Sequence, residues 1–390
     1  MGAAFELAVE RAGRALGRLR PDRSASVASE FIPGEVPSVT AAWLTGVLQN
    51  HFPGARVASV AQAGGDAGTT ERARLTVAYA AAGSGDAPPA SVFVKLPPRD
   101  AKTRLFVNLM ALGENEVRFY REIAPKLSID VPRALHVAYT GRARSFILVL
   151  EDLTARGARF TDVSHHVTLD EARTVVLTLA QLHARFWDDP RLVNELAWLR
   201  HTDRNRNYPV ERLLCAAAVP AALRKHPDLV PRELHESAAR IIAARDRLEA
   251  AWATGPLTVV HGDAHAGNMY FCDGRAGLLD WQVVQCGQGM RDVGYFLTNS
   301  LATGVRRAHE HELIRTYLAA LAELGAYAPG SDSAWRQYRL HALYAWIAAA
   351  VTAAAATFQS EPIVRAGLTR TSTAVVDLQS LEALDELRRR

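Results

Sequence analysis

Apolar and polar residues alternate in two short stretches of the N-terminal third. From Arg72 to Tyr79, Leu75, Val77 and Tyr79 interleave with Arg74, Thr76 and Ala78; from Ser91 to Leu96, Val92, Val94 and Leu96 fall on one side and Phe93 and Lys95 on the other. A period of two marks a half-buried strand, and the Ala/Gly/Ser/Pro stretch from Ala81 to Ala90 between the two runs predicts a hairpin. The period then changes. Leu105, Leu109, Leu112, Glu116, Phe119 and Ile123 recur at three- and four-residue steps, which predicts one amphipathic helix from Thr103 to Ile123 with Glu116 on its apolar stripe. Pro132 and Gly141 frame a further β segment that ends in Phe146-Ile147-Leu148-Val149-Leu150.

After Glu151-Asp152-Leu153 the pattern is helical, with segments expected at Leu169 to Trp187, Arg232 to Trp252, His309 to Leu324 and Trp335 to Phe358. One β island interrupts it, from Leu257 to Asp280. These patterns predict an α+β protein: a small antiparallel sheet with one key helix, followed by a larger, mainly helical part. We place an N-terminal extension at 1–35, the sheet-bearing domain at 36–152 and the helical domain at 153–390.

Composition narrows the class. Of 390 residues, 49% are apolar and 22% charged, and no apolar run approaches the ~18 residues of a membrane span, so the chain reads as a soluble globular protein. The segment Met1 to Arg20 lacks the uninterrupted apolar core of a signal peptide and reads as an amphipathic surface helix. Cys215, Cys272 and Cys286 form no metal-knuckle or redox spacing, which argues for a reducing cytoplasm. The net charge of +4 is spread along the chain without a basic run, so no nucleic-acid partner is expected. A monomer or homodimer with neither nucleic-acid nor membrane partners is the expectation.

Candidate chemistry concentrates in the β island, which reads His261-Gly262-Asp263-Ala264-His265-Ala266-Gly267-Asn268, then apolar residues to Cys272, then Asp273-Gly274 and Arg275 to Asp280. Asp-Gly between apolar runs signals a two-residue hairpin, because both central positions need positive φ. A tight turn pairs Cys272 with Arg275, and counting back sets Asn268 opposite Leu279, with Asp280 one step on. Asp263, Asn268 and Asp280 then converge. A lone Asp or Asn in such a loop is ordinarily just solvated, but two carboxylates brought together with a carboxamide repel unless a cation lies between them, and hard oxygen donors suit magnesium. A lysine in a strand is likewise ordinarily a solvated edge residue. Glu116 on a buried face, however, requires a cationic partner, and Lys95 is the natural one.

With these residues in view, the chain resembles the aminoglycoside phosphotransferase and choline kinase-like superfamily, and within it the ecdysteroid kinase-like branch. His261-Gly-Asp-x-His265-x-x-Asn268 followed by Leu278-Leu-Asp-Trp281 resembles the catalytic loop and metal-binding Asp motif, and the resemblance runs from about Ala42-Trp43-Leu44 to Tyr344. It implies a protein-kinase-like two-lobed fold, ATP or another nucleoside triphosphate as donor, and Mg2+. It also implies roles: Asp263 as the catalytic Asp that orients the substrate hydroxyl and accepts its proton, Asn268 and Asp280 as magnesium ligands, and His261 and His265 as residues shaping the loop. Asp292 in Arg291-Asp-Val-Gly-Tyr-Phe296 resembles a structural brace. Lys95 with Glu116 resembles the kinase pair in which the lysine holds nucleotide phosphates. The stretch Ala63 to Thr70, with Gly65, Gly68 and Thr69, is expected as a loop before the first strand that folds over phosphates; the resemblance also implies Leu150 to Leu153, with Glu151 and Leu153 as its named residues, as the hinge whose backbone pairs with the adenine edge. His183, Cys272 and Trp281 read as core.

Two other readings compete. Alternating His261, Asp263 and His265 suggest a metal-dependent hydrolase, although the helical His-Glu-x-x-His form is absent. A non-catalytic, pseudokinase-like binding protein is the other, although the lysine, the aspartate and the metal ligands are all in place. The acceptor is expected to be a small hydroxylated molecule, a bulky and mostly neutral alcohol. Trp187, Tyr208, Tyr295, Tyr338, Tyr344 and Trp346 either line its pocket or pack in the core.

Overall fold

The structure is a computed structural model that describes residues 31–141, 145–201, 208–355 and 359–387. The amphipathic helix expected over Met1 to Arg20 and the Phe358 end of the expected Trp335 to Phe358 helix lie outside the described residues. The described chain falls into two compact units, 31–126 with 131–158, and 127–130 with 159–387.

The first unit is a five-stranded sheet. Strands β1 (Ala55–Ala67), β2 (Glu71–Ala82), β3 (Ser91–Leu96), β4 (Ala134–Thr140) and β5 (Ser145–Glu151) pair in the order β1-β2-β3-β5-β4, every neighbour antiparallel. Along β2, Ala73, Leu75 and Val77 are buried and the residues between them exposed, as its period of two predicts. Strands β3 and β5 lie inside the sheet and are buried almost throughout, which is why β5 reads as a continuous apolar run. Helix Ala41–Gln49, N-capped by Thr40, packs Leu44, Val47 and Leu48 into the same core as Leu75, Val94 and Val149.

Two expectations for this unit are corrected. The glycine-rich stretch is not a loop before the first strand: Gly64, Gly65 and Asp66 belong to β1, opposite Arg74, Ala73 and Arg72, and only Gly68 to Thr70 turn. Three register shifts break the alternation of β1, and most of its residues are exposed, so no period survives to be read. The helix expected from Thr103 to Ile123 is two helices, Ala101–Leu109 and Leu112–Arg118, the second running into a wider-wound turn at Phe119–Ile123. Ala111 breaks it in the left-handed conformation (φ 54°). Gly113 in the restarted helix lies so close to Phe146 that a Cβ there would come within 2.2 Å of the ring. Leu105 and Leu109 are consequently half-buried, while Leu112, Glu116, Phe119 and Ile123 are buried.

The second unit is mainly helical. Helices Leu169–Ala184, Tyr208–Lys225, Met290–Ser300, Thr303–Glu323, Ser331–Ala354 and Glu361–Asp377 make up most of it, with Arg232–Ala243, Arg245–Trp252 and Ser380–Glu386 beside them. The helix expected over Arg232 to Trp252 is therefore broken, at Ala244. Tyr208–Lys225 escaped the sequence reading because Pro220 interrupts it. Every residue of Met290–Ser300 is buried, including the polar stripe of Arg291, Asp292, Tyr295, Thr298 and Asn299. The β island forms β8 (Thr258–Val260), β9 (Met269–Cys272) and β10 (Arg275–Leu278). Short strands β6 (Arg159–Phe160), β7 (Arg200–His201) and β11 (Gln285–Gly287) complete two three-stranded sheets, β10-β9-β6 and β7-β11-β8. The fold class is α+β. No described helix is long and apolar enough to cross a membrane.

Candidate active site

The loop from β8 to β9 is held mainly through its backbone. The chain turns at Gly262 (φ 84°), where a Cβ would lie 2.4 Å from the Val283 carbonyl oxygen, so only glycine fits. The His261 and Gly262 N–H groups both donate to the Asp292 carboxylate, at 2.6 and 2.9 Å. Asp292 sits in the first turn of Met290–Ser300 and also meets His183 Nε2 at 3.2 Å, while His183 Nδ1 meets the Tyr317 hydroxyl at 2.8 Å. Burial pushes the Asp292 carboxyl up, but the His183 hydrogen bond and charge, the His261 charge and the Gly262 N–H together hold it below the usual carboxylate range. Two further ties reach the loop: the Tyr344 hydroxyl donates to the Gly262 carbonyl at 2.8 Å, and the Ala266 N–H donates to Ser300 Oγ at 2.9 Å.

His183 is thus fully buried, as a core residue should be, but it works as a polar partner of Asp292 rather than as apolar filling. Cys272 and Trp281 are core; the Trp281 ring lies 4.6 Å from that of His261. His261 Nε2 bonds the Leu279 carbonyl at 2.8 Å, and its Nδ1 accepts the Asp263 N–H at 3.3 Å.

The side chains that follow converge. Asn268 Nδ2 donates to the Asp263 carbonyl at 2.9 Å and to Asp263 Oδ2 at 3.0 Å. His265 Nδ1 lies 3.0 Å from the Gly267 nitrogen, and its Nε2 faces Asp263 Oδ2 at 3.5 Å. The Asp263 side chain stays 37% exposed, enough for a substrate hydroxyl to reach it. Burial pushes its carboxyl up, yet the charge and hydrogen bond of His265, the charge of His261 and the Tyr295 hydroxyl pull it well below the usual range. The converse holds for His265, which burial pushes down while Asp263, Asp280 and Asp162 raise it further. Tyr295 stays a neutral donor, its pKa driven well above the usual value by burial and then by the Asp263 charge.

The hairpin register is the one expected. Cys272 pairs with Arg275 and Met269 with Leu278, Asp273 and Gly274 both have positive φ, and the Leu279 N–H donates to the Asn268 carbonyl at 3.0 Å. Asp280 follows directly in the left-handed conformation (φ 64°, ψ 68°), a strained state for an aspartate that the sequence does not announce.

Asn268 and Asp280 fit a magnesium ion by their chemistry. The Asn268 nitrogen is committed to Asp263, so its amide oxygen is the remaining donor, beside one carboxylate; magnesium characteristically takes few protein ligands and fills its shell with phosphate and water oxygens. Among the described residues no group of three or more His, Cys, Asp and Glu side chains could hold a metal ion.

In the sheet unit, Lys95 Nζ lies 2.7 Å from each Glu116 carboxylate oxygen, and the two residues are 4% and 0% exposed. Gly65 lies within β1, while Gly68 and Thr69 lie in the following turn. The Glu151 N–H donates to the Arg133 carbonyl at 2.9 Å and its carboxylate accepts the Arg133 N–H at 2.7 Å, which ties the end of β5 to the start of β4. Leu153 opens the short helical turn Leu153–Arg156. Between them stands Asp152, which the sequence reading did not single out as a functional residue. It is buried and accepts bonds from Ser91 Oγ at 2.5 Å, Arg74 Nε at 2.6 Å and the Thr154 N–H at 3.0 Å. Its signal in the sequence is an aspartate two residues before Thr154 at a helical start, the pattern of an N-cap.

Comparison with known proteins gives three kinds of result. Among solved structures, the GDP complex of an aminoglycoside 2'-phosphotransferase-IIIa aligns at 13% identity and TM-score 0.46 over 90% of this chain and 98% of its own. A choline/ethanolamine kinase family protein from Mesorhizobium loti aligns at 14% identity and TM-score 0.47, over 88% and 95% of the two chains. A macrolide 2'-phosphotransferase from Brachybacterium faecium aligns at 18% and 0.38, over 82% and 97%. No curated protein matches the chain. The family model of the ecdysteroid kinase-like family matches residues 64–327, well over half the sequence, including Lys95, Glu116, Asp263, Asn268, Asp280 and Asp292, and the chain belongs to that family.

Proposed function

We propose that this phosphotransferase moves the γ-phosphate of ATP, with magnesium, to a hydroxyl of a bulky and mostly neutral alcohol. The observation that carries the reading is Asp263: a part-exposed carboxylate oriented by Asn268 and His265 on a loop pinned by Asp292. Its depressed pKa makes it a weak base, which suits a loose phosphoryl transfer in which the acceptor oxygen loses its proton late and positioning dominates. Asp263 would thus accept a hydrogen bond from the acceptor hydroxyl and take its proton as the bond to phosphorus forms.

The other parts follow. Lys95, held extended by Glu116, would neutralise donor phosphates, and residues 36–152 would form the nucleotide-binding domain. Gly68 and Thr69 would lie over the phosphates. The end of β5 would supply a rigid edge for adenine, with Glu151 tied to Arg133, Asp152 locked by Ser91 and Arg74, and the backbone of Leu153 beside them. Residues 153–390 would carry catalysis and acceptor binding. When bound at Asn268 and Asp280, magnesium would supply charge neutralisation on the phosphates. His265 shapes the loop and keeps Asp263 ionised. The odd, sparse set of three cysteines, Cys215, Cys272 and Cys286, fits a reducing cytoplasm.

A coupled ADP-release screen against a mixed library of hydroxylated small molecules, with and without magnesium, tests the reading. Release that requires both the metal and an alcohol is the expected result. Nucleotide binding without ADP release from any alcohol would replace the enzyme with a binding protein.

A further inference from the structure

Arg291 immediately precedes the Asp292 brace and is only 5% exposed. Its guanidinium carbon lies 3.7 Å from the centre of the Tyr344 ring. Beyond Tyr344, the side chain has no ion pair or hydrogen bond to any described residue, and its buried Nε has no acceptor. The nearby acids are committed elsewhere: Asp292 to two backbone N–H groups and His183, and Glu249 to Arg245 at 2.5 Å. Arg245 is itself 6% exposed and has two further guanidinium nitrogens, Nε and Nη1, without a partner.

A guanidinium carries five N–H donors in its plane and cannot shed its charge. Stacking on a ring occupies its face and leaves that edge open. Burying such an edge without an acceptor is costly, because each unmet donor loses its water and gains nothing. The missing partner is therefore an anion. The position of Arg291 says which molecule brings it. Tyr344, its stacking partner, is half-buried, bonds the Gly262 carbonyl through its hydroxyl, and lies 5.6 Å from the ring of Tyr295, whose hydroxyl acts on the Asp263 carboxyl and helps lower its pKa. One aromatic pair thus links the open guanidinium edge to the carboxylate assigned to the acceptor hydroxyl.

We propose that Arg291, stacked on Tyr344, seats a carboxylate of the acceptor, so that the alcohol presented to Asp263 is a hydroxy acid whose remaining bulk is uncharged. The proposal rests on the phosphotransferase reading for its substrate and sharpens the acceptor from an alcohol to an acidic one. A planar carboxylate matches the two-pronged edge of a single guanidinium; a dianionic phosphate calls for a second unpaired cation, and Arg245 is already bound to Glu249.

Matched pairs of hydroxy acids and their methyl esters, compared by ADP release in the wild-type protein, test this without any variant. The acids are expected to exceed the esters in kcat/KM by about tenfold to a hundredfold, the worth of a charge-assisted bond. Equal or better turnover of the esters overturns the proposal. In Arg291→Met the ratio of acid to ester is expected to collapse towards one, and in Arg291→Lys, which keeps the charge and loses the fork, to lie between. An unchanged ratio in Arg291→Met also overturns it. A readout independent of turnover uses benzoate as a probe. Benzoate is expected to raise the melting temperature of the wild-type protein and not of Arg291→Met, and an equal rise in both contradicts the site. Arg291-dependent benzoate binding in a protein that releases no ADP with any acceptor would retain the anion site and remove the phosphotransferase reading.

Discussion

The Lys95–Glu116 pair and the Asp292 brace are both fully buried charged sites, but they are built differently. In the first, an ammonium meets a carboxylate, side chain to side chain, at 2.7 Å on both oxygens. In the second, one carboxylate is shared among two backbone N–H groups and a histidine. Removing either charge of the first takes away both short contacts at once, whereas a shared acceptor loses its bonds in part. Breaking the first should therefore disturb the fold more than weakening the second, even though the second lies directly under the proposed catalytic residue.

The largest effect expected is in the sheet unit. Glu116→Gln removes the carboxylate charge 2.7 Å from the buried Lys95 ammonium and should cost about 3–5 kcal/mol of stability, measured by urea unfolding. Lys95→Met combined with Glu116→Leu removes both charges and should recover most of that loss while leaving phosphoryl transfer abolished. A double variant as unstable as the single one would show that the pair stabilises the fold on its own account, against this view. Asp292→Asn comes next. It keeps one carbonyl acceptor but loses the charge, and should cost about 1.5–3 kcal/mol together with a drop in turnover.

How much of this could be read from the sequence follows the same division. Glu116 stood out because a carboxylate on an apolar helical stripe demands a cation, and the hairpin register followed from Asp273-Gly274 alone. Both are local rules acting on side-chain type. The brace was nameable only by family resemblance, since backbone N–H groups carry no sequence signature and His183 lies 109 positions from Asp292. The left-handed Asp280 and the left-handed Ala111 that breaks the expected helix are tertiary results: alanine disfavours that conformation, and aspartate tolerates it without announcing it. Strand β1 was lost because bulges and exposure erased its period, and with it the true place of Gly65. Arg291 reads in the sequence as one more arginine; only its burial beside acids that are already committed gives it meaning.

The smallest effect concerns acid response. His341, fully buried, has its pKa pushed well below the usual value by burial and by the charge of Arg291. A folded-state value below the unfolded one, near 6.5, means that this histidine's stability contribution is complete above about pH 6.5 and is lost as the pH falls below it, because the unfolded chain takes the proton first. Unfolding free energy should thus decline from pH 7.5 to 5.5 by up to about 1.4 kcal/mol per pH unit from this group, and His341→Gln should flatten that slope. An identical slope in the variant would assign the acid sensitivity to other groups.

The most direct test of the central claim is Asp263→Ala, assayed for ADP release with an accepted alcohol and, in parallel, for magnesium-ATP affinity. The account predicts turnover reduced by about a hundredfold or more, with nucleotide affinity largely kept, because the role proposed for Asp263 is on the acceptor hydroxyl and not on the donor. Turnover equal to that of the unaltered protein would contradict it.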